Sequence, residues 1–142
     1  MIRRMASACW WRRRTWRSLG TVSHCWFARQ GCGIEINSDF PYVEGGVAHD
    51  ITITDNTFVD VNPQPGGAAI SMHTHTDNGG APPFSNIVIT GNTFIRPGSA
   101  AIRLDSFHGG MIADNRLEQT AQPPIVLKRC SGIREENNRI SQ

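Results

Sequence analysis

The sequence predicts an all-β solenoid of about four to five turns, and three observations predict it. A strand-turn-strand phrase recurs along the chain. It recurs at a fixed spacing. No helical periodicity lies between its copies. The clearest copy is Asn86-Ile-Val-Ile-Thr-Gly-Asn-Thr-Phe94. Apolar and polar residues alternate there at period two, the signature of a strand with one buried face. Gly91 and Asn92 tolerate positive φ and let the chain bend, and Phe94 restarts the inward face. The phrase stands upstream as Asp50-Ile-Thr-Ile-Thr-Asp-Asn-Thr-Phe58. It returns downstream as Gly110-Met-Ile-Ala-Asp-Asn-Arg-Leu117 and Gly132-Ile-Arg-Glu-Glu-Asn-Asn-Arg-Ile140. Asn92 to Asn115 and Asn115 to Asn138 are both 23 residues. These asparagines are expected to stack as a ladder at one corner, with no chemical role.

A further strand follows each Gly-Asn turn. Its copies are Gly33-Ile-Glu-Ile-Asn37, Ala69-Ile-Ser-Met-His73, Ala101-Ile-Arg-Leu-Asp105 and Pro124-Ile-Val-Leu-Lys128. Period two sends Ile34/Ile36, Ile70/Met72, Ile102/Leu104 and Ile125/Leu127 inward. Stacked turns, about 4.8 Å apart, bury these as columns. Each such burial contributes on the order of 1.5–3 kcal/mol. The outward positions then form two columns, Glu35–Ser71–Arg103–Val126 and Asn37–His73–Asp105–Lys128.

Two excursions break the rhythm. Asn56 to Asn92 is 36 residues, an excess of 13 over the later period. Four extra residues fall before Ile70, within Val59–Gly67, and nine fall after Met72, within Thr74–Phe84. A similar excursion, Ser38–Gly46, follows Ile36. Both long loops leave adjacent turns at the same point, so they are expected to lie side by side over the outer face. Long loops on a rigid scaffold are where binding and chemistry concentrate.

The candidate site is therefore the outward face of this strand with its overhanging loops. Asp39, Glu44 and Asp105 are the candidate catalytic carboxylates. Glu35, Asn37, His73, His75 and Arg103 are candidate substrate-binding groups, with Tyr42 and Phe84 as flat surfaces for stacking on sugar rings. Carboxylates suit proton transfer at a glycosidic bond, and aromatic rings suit the apolar faces of sugars. Asp105 lies two turns from Asn37, hence about 9.6 Å by strand spacing. Asp39 follows Asn37 closely, so Asp39 and Asp105 fit the scale of an inverting pair. His73-Thr-His75 with Asp105 offers at most three metal ligands, with no matching histidine column, so no metal and no cofactor are expected.

Composition narrows the partners. The net charge of +2 conceals an asymmetry: residues 1–30 hold seven arginines and no acid, while residues 31–142 hold seven bases and twelve acids. A body at −5 disfavours nucleic acid and is compatible with a glycan or polysaccharide. No apolar run is long enough to span a bilayer. The head, residues 1–20, is too interrupted by Arg12, Arg13 and Arg14 for a signal peptide and is expected to be irregular. The β-helix domain is expected over residues 21–142, with Cys25 standing in the ladder position of its first copy. Cys9, Cys25, Cys32 and Cys130 show no metal-ligand spacing and no assignable disulfide pattern.

The ITITDNTF, IVITGNTF, MIADNRL and IREENNRI copies, with their GIEIN, AISMH, AIRLD and PIVLK partners, resemble the right-handed parallel β-helix of polysaccharide lyases and polygalacturonases. More narrowly, the chain is similar to the β-helical α-1,3-galactosidase glycoside hydrolases. The shared features are Gly33-Ile-Glu-Ile36, Asp39, Tyr42, Glu44 and Gly46, then the Asp50–Phe58 copy. Ala69–Met72, Pro83–Ile87 and Gly109-Gly-Met111 continue the likeness. The resemblance implies a C-terminal fragment of an exo-acting, inverting galactosidase, with acids near Asp39. That family is several times longer, so the resemblance implies that the upstream turns completing a groove lie outside this sequence. The alternatives are a noncatalytic β-helix module for glycan binding or surface attachment, and a polysaccharide lyase or epimerase.

Overall fold

The computed structural model describes residues 22–23, 26–28, 33–38, 48–61, 67–74 and 84–142, with the backbone alone at 22–23, 26–28 and 37–38. Every regular element among them is a strand, so no helix is long and apolar enough to cross a membrane. The strands, numbered in chain order, visit three sheets in strict rotation. The first sheet takes β1 (Val22–Ser23), β4 (Ala48–Thr54), β7 (Phe84–Thr90), β10 (Phe107–Ala113) and β13 (Ser131–Glu136). The second takes β2 (Trp26–Ala28), β5 (Thr57–Val59), β8 (Thr93–Ile95), β11 (Arg116–Glu118) and β14 (Arg139–Ser141). The third takes β3 (Ile34–Ser38), β6 (Ala68–Thr74), β9 (Ala100–Asp105) and β12 (Ile125–Lys128). All pairings are parallel, and each strand pairs with its counterpart one turn away. This is the parallel β-helix that the repeats predict.

The register is the one that the sequence spacing requires. Ile53 pairs with Ile89, Ile89 with Ile112, Phe58 with Phe94 and Ile70 with Ile102. Period two then fills the core with like on like. Ile70, Met72, Ile102 and Leu104 are fully buried. Phe58 stacks on Phe94 with ring centroids 4.7 Å apart, and Phe84 on Phe107 at 4.9 Å. Ile34, Ile36, Ile125 and Leu127 pack against this core but are only partly covered. They belong to β3 and β12, which among the described residues are the edge strands of the third sheet and have a neighbouring strand on one side alone.

The asparagine ladder forms at the corner between the first and second sheets. Asn56 Nδ2 donates to Asn92 Oδ1 at 3.0 Å, Asn92 Nδ2 to Asn115 Oδ1 at 3.1 Å, and Asn115 Nδ2 to Asn138 Oδ1 at 3.0 Å. Each receiving oxygen also accepts the backbone N–H of the previous asparagine. The residues just before the ladder, Asp55, Gly91, Asp114 and Asn137, all have φ between 53° and 67°. Glycine, asparagine and aspartate bear that conformation at least cost. Trp26 pairs with Thr57, which continues the same register upstream. Cys25 and the whole head, residues 1–20, lie outside the described residues.

A second left-handed column sits near the start of the first sheet: Asp50, Asn86, Gly109 and Gly132, with φ of 56°, 54°, 74° and 66°. It inserts a residue into each strand, so that Ala48 and Ile51 both face inward, as do Phe84 and Ile87. The residues just before these bulges point outward as a polar row.

Candidate functional site

The third sheet hands the chain to the first at one corner, and that corner differs between turns. In the later turns the crossing is short: Ser106 alone between β9 and β10, and Arg129 with Cys130 between β12 and β13. In the two earlier turns it takes nine residues each, 39–47 between β3 and β4, and 75–83 between β6 and β7. Both long connections start and end at equivalent register positions. The pairs Ser38 with Thr74 and Ala48 with Phe84 fix this.

The outward columns of the third sheet have the expected register. Glu35 pairs with Ser71, Ser71 with Arg103, and Arg103 with Val126. Asn37 pairs with His73 and Asp105 with Lys128, and the pairing of Met72 with Leu104 brings His73 level with Asp105. Glu35 is exposed, while His73 and Arg103 are half-buried. Ser71 is buried although it points outward, since it lies between the longer side chains of Glu35 and Arg103. Of the other candidates, Asp39, Tyr42, Glu44 and His75 lie outside the described residues.

Phe84 requires a correction. It was expected on the overhanging loop, stacking on a sugar. It is instead the first residue of β7, with 0% exposure, and its ring lies on that of Phe107. Its place on the inward side of the strand start removes it from any outer surface.

Asp105 closes β9 and is not an open groove residue: it is 6% exposed. Arg129 Nε donates to its Oδ1 at 2.7 Å, and Ser106 Oγ donates to the same oxygen at 2.9 Å. Lys128 Nζ stands 3.5 Å from Oδ2. Burial acts to raise the carboxyl pKa, but the hydrogen bonds from Arg129 and Ser106 and the charges of Arg129 and Lys128 outweigh it. The result lies below the ordinary aspartate value. Asp105 is therefore an anion at neutral pH and no proton donor, and the same lowering makes it a weak proton acceptor. Arg129 also reaches the Thr74 carbonyl at 3.3 Å, the last described residue before connection 75–83. One guanidinium thus joins the ends of three successive third-sheet strands.

Sequence reasoning missed the other flank of this corner. His49 pairs with Ser85, Ser85 with His108, and His108 with Ser131, one residue per turn along the first sheet. The spacings, 36, 23 and 23, are those of the asparagine ladder, so the same count applied to His49 finds them. His49 Nδ1 lies 2.7 Å from Asp50 Oδ2, and Asn86 Nδ2 donates to Asp50 Oδ1 at 2.6 Å. His108 Nδ1 lies 2.9 Å from Ser131 Oγ. Both long connections return to the first sheet directly ahead of this row, at Ala48 and Phe84. Among the described residues no three His, Cys, Asp or Glu side chains converge as a metal-ligand set.

Comparison with known proteins agrees with the architecture. The model of a family described as right handed beta helix region matches residues 16–142. No curated protein and no solved structure matches the chain.

Proposed function

The chain belongs to the right-handed β-helix family, and from that premise we propose that it is a carbohydrate-active domain whose corner between the third and first sheets engages a glycan. One observation carries this reading. Two nine-residue connections leave and rejoin the solenoid at equivalent positions of adjacent turns, in a fold whose other crossings at that corner need one or two residues. Long connections on a rigid scaffold are where recognition concentrates. The residues flanking them are of polar types: Asn37, His73 and Asp105 on one side, His49, Ser85 and His108 on the other.

In the hydrolytic form of this reading, Asp105 is the carboxylate base and an acid on connection 39–47, Asp39 or Glu44, protonates the leaving oxygen. The likeness to α-1,3-galactosidases favours a galactoside as substrate. The glycan-binding module without catalysis is the second reading. It is favoured by the engagement of Asp105 with Arg129, Ser106 and Lys128, which is also how a purely structural carboxylate is held.

The test is binding and turnover of α-1,3-linked galactosides and acidic polysaccharides by the wild type and by Asp39→Asn and Asp105→Asn. Loss of a base costs about 10²–10⁴-fold in rate. Such a loss with retained binding supports hydrolysis. Binding without turnover by the wild type supports the module. Absence of binding to any glycan overturns the proposal.

A further inference from the structure

His49 is held by a carboxylate, and the geometry decides which of its nitrogens carries the proton. Asp50 is ionised at neutral pH: the Asn86 hydrogen bond, then the His49 hydrogen bond, hold its carboxyl below the ordinary value. An ionised carboxylate only accepts. Its Oδ1 takes the Asn86 amide and its Oδ2 faces His49 Nδ1 at 2.7 Å, so Nδ1 must be the donor. In the neutral ring Nε2 is then an acceptor, and it has no hydrogen-bond partner among the described residues. The support is tertiary as well as local, because Asn86 belongs to the next turn, 36 residues on.

The surroundings say what such an acceptor can take. Ser85 is His49's partner across the strands, and His108 with Ser131 continues the row. Asp50 is occupied by two donors, so the row presents hydroxyl, amide and imidazole groups rather than an open charge. Past Asn86 the bulge column turns to glycine, and beside Gly109 there is open space where a side chain would stand. A neutral, hydroxyl-rich ligand matches that set: an O–H donates to Nε2, and its oxygen accepts from serine or amide. Connections 39–47 and 75–83 rejoin the sheet at Ala48 and Phe84, one residue before His49 and Ser85 respectively.

We infer that Asp50, anchored by Asn86, fixes His49 as the Nδ1–H tautomer so that Nε2 serves as a preset acceptor for a saccharide hydroxyl on the first-sheet flank of the corner. This rests on the glycan reading above and adds a subsite to it. His49 is the binding residue, and Asp50 is a positioning residue that acts through it. Presetting the acceptor removes the cost of orienting the ring when the sugar arrives.

Two substitutions test it with little risk to folding, because each copies a residue that this chain already uses in the same column. Asp50→Gly reproduces Gly109 and Gly132 at a left-handed position, and His49→Ser reproduces Ser85 and Ser131. Long-range ¹H–¹⁵N NMR of the whole chain reads the tautomer directly, above the pH at which the ring is protonated. The expected result is Nδ1–H in the wild type and a shift toward Nε2–H in Asp50→Gly. Calorimetric titration with α-1,3-linked galactobiose and with galacturonate oligomers reads the function. The affinity of the sugar that binds is expected to fall about tenfold in His49→Ser, the scale of one good hydrogen bond, and severalfold in Asp50→Gly. Urea denaturation of both variants controls for stability. An Nε2–H tautomer in the wild type overturns the inference. So does an affinity within twofold of wild type in His49→Ser, and in that case the glycan reading stands. A wild type that binds neither sugar overturns the subsite together with the glycan reading.

Discussion

Replacing Asn92 by alanine should be among the most damaging single changes in the molecule, and its cost can be worked from the ladder. Asn92 is fully buried. Its Oδ1 accepts the backbone N–H and the side-chain amide of Asn56, and its Nδ2 donates to Asn115 Oδ1 and to the Ile53 and Thr90 carbonyls. Some of these groups keep another partner. Asn56 Nδ2 still donates to the Thr54 carbonyl, and Asn115 Oδ1 still accepts the backbone N–H of residue 92. Five hydrogen bonds are lost from the interior. Each contributes about 0.5–1.5 kcal/mol net, and several of the groups keep another partner, so the expected loss is about 3–4 kcal/mol. Native domains are stable by only about 5–15 kcal/mol. Asn138→Ala is the internal control. Asn138 also accepts from Asn115 and donates to the Ile112 carbonyl, but it lies half-buried in the last turn, where water replaces it. Its loss should be near 1 kcal/mol. Urea denaturation followed by far-ultraviolet circular dichroism measures both, with the slope m expected to stay constant. A cost below about 1 kcal/mol for Asn92→Ala, or equal costs for the two variants, would refute the ladder as a cumulative, burial-dependent element.

Three further outcomes are expected. Gly110→Ala should destabilise far more than Gly109→Ala, as read by thermal melting. Both glycines have positive φ, but a Cβ on Gly110 runs into the Ile87 backbone whereas one on Gly109 meets nothing. The folded-state pKa of Asp105 is depressed below the ordinary 3.8, so its stabilising contribution is fully present above that value and fades as pH falls through the depressed one. Urea midpoints should show a constant gap between wild type and Asp105→Asn from neutral pH down to the ordinary value, narrowing below it; a gap that widens on acidification is contrary to this. Glu135→Ile should promote end-to-end association, seen as larger species in size-exclusion chromatography. Glu135 continues the buried column Ile53–Ile89–Ile112 on edge strand β13, where a carboxylate resists covering by another strand.

The sequence by itself determined the solenoid, because a 23-residue period of alternating strands leaves each residue type one place to go. Asn92, Asn115 and Asn138 recur at that period and stack in space, and Ile70, Met72, Ile102 and Leu104 alternate and are buried. Periodicity ranks residues as inward or outward along one strand, and here it succeeded where neighbours exist on both sides. It could not say how far an inward residue is covered, so Ile34 and Leu127 are half-exposed at the sheet edges. It also could not place the exact residue at which a long connection becomes strand again, and so Phe84 belongs to the core beside Phe107 rather than to the loop. The candidate site shows the same division. The columns through His73 and Asp105 were countable. The charge state of Asp105 was not, because it is set by Arg129, one residue off the column and left-handed in backbone, whose guanidinium reaches back across turns. Nor did alternation mark the His49–Ser85–His108–Ser131 row, because the bulge at Asp50 and its equivalents breaks period two just there. Those features depend on which side chains meet between turns, and distances between turns exist only once the chain has wound.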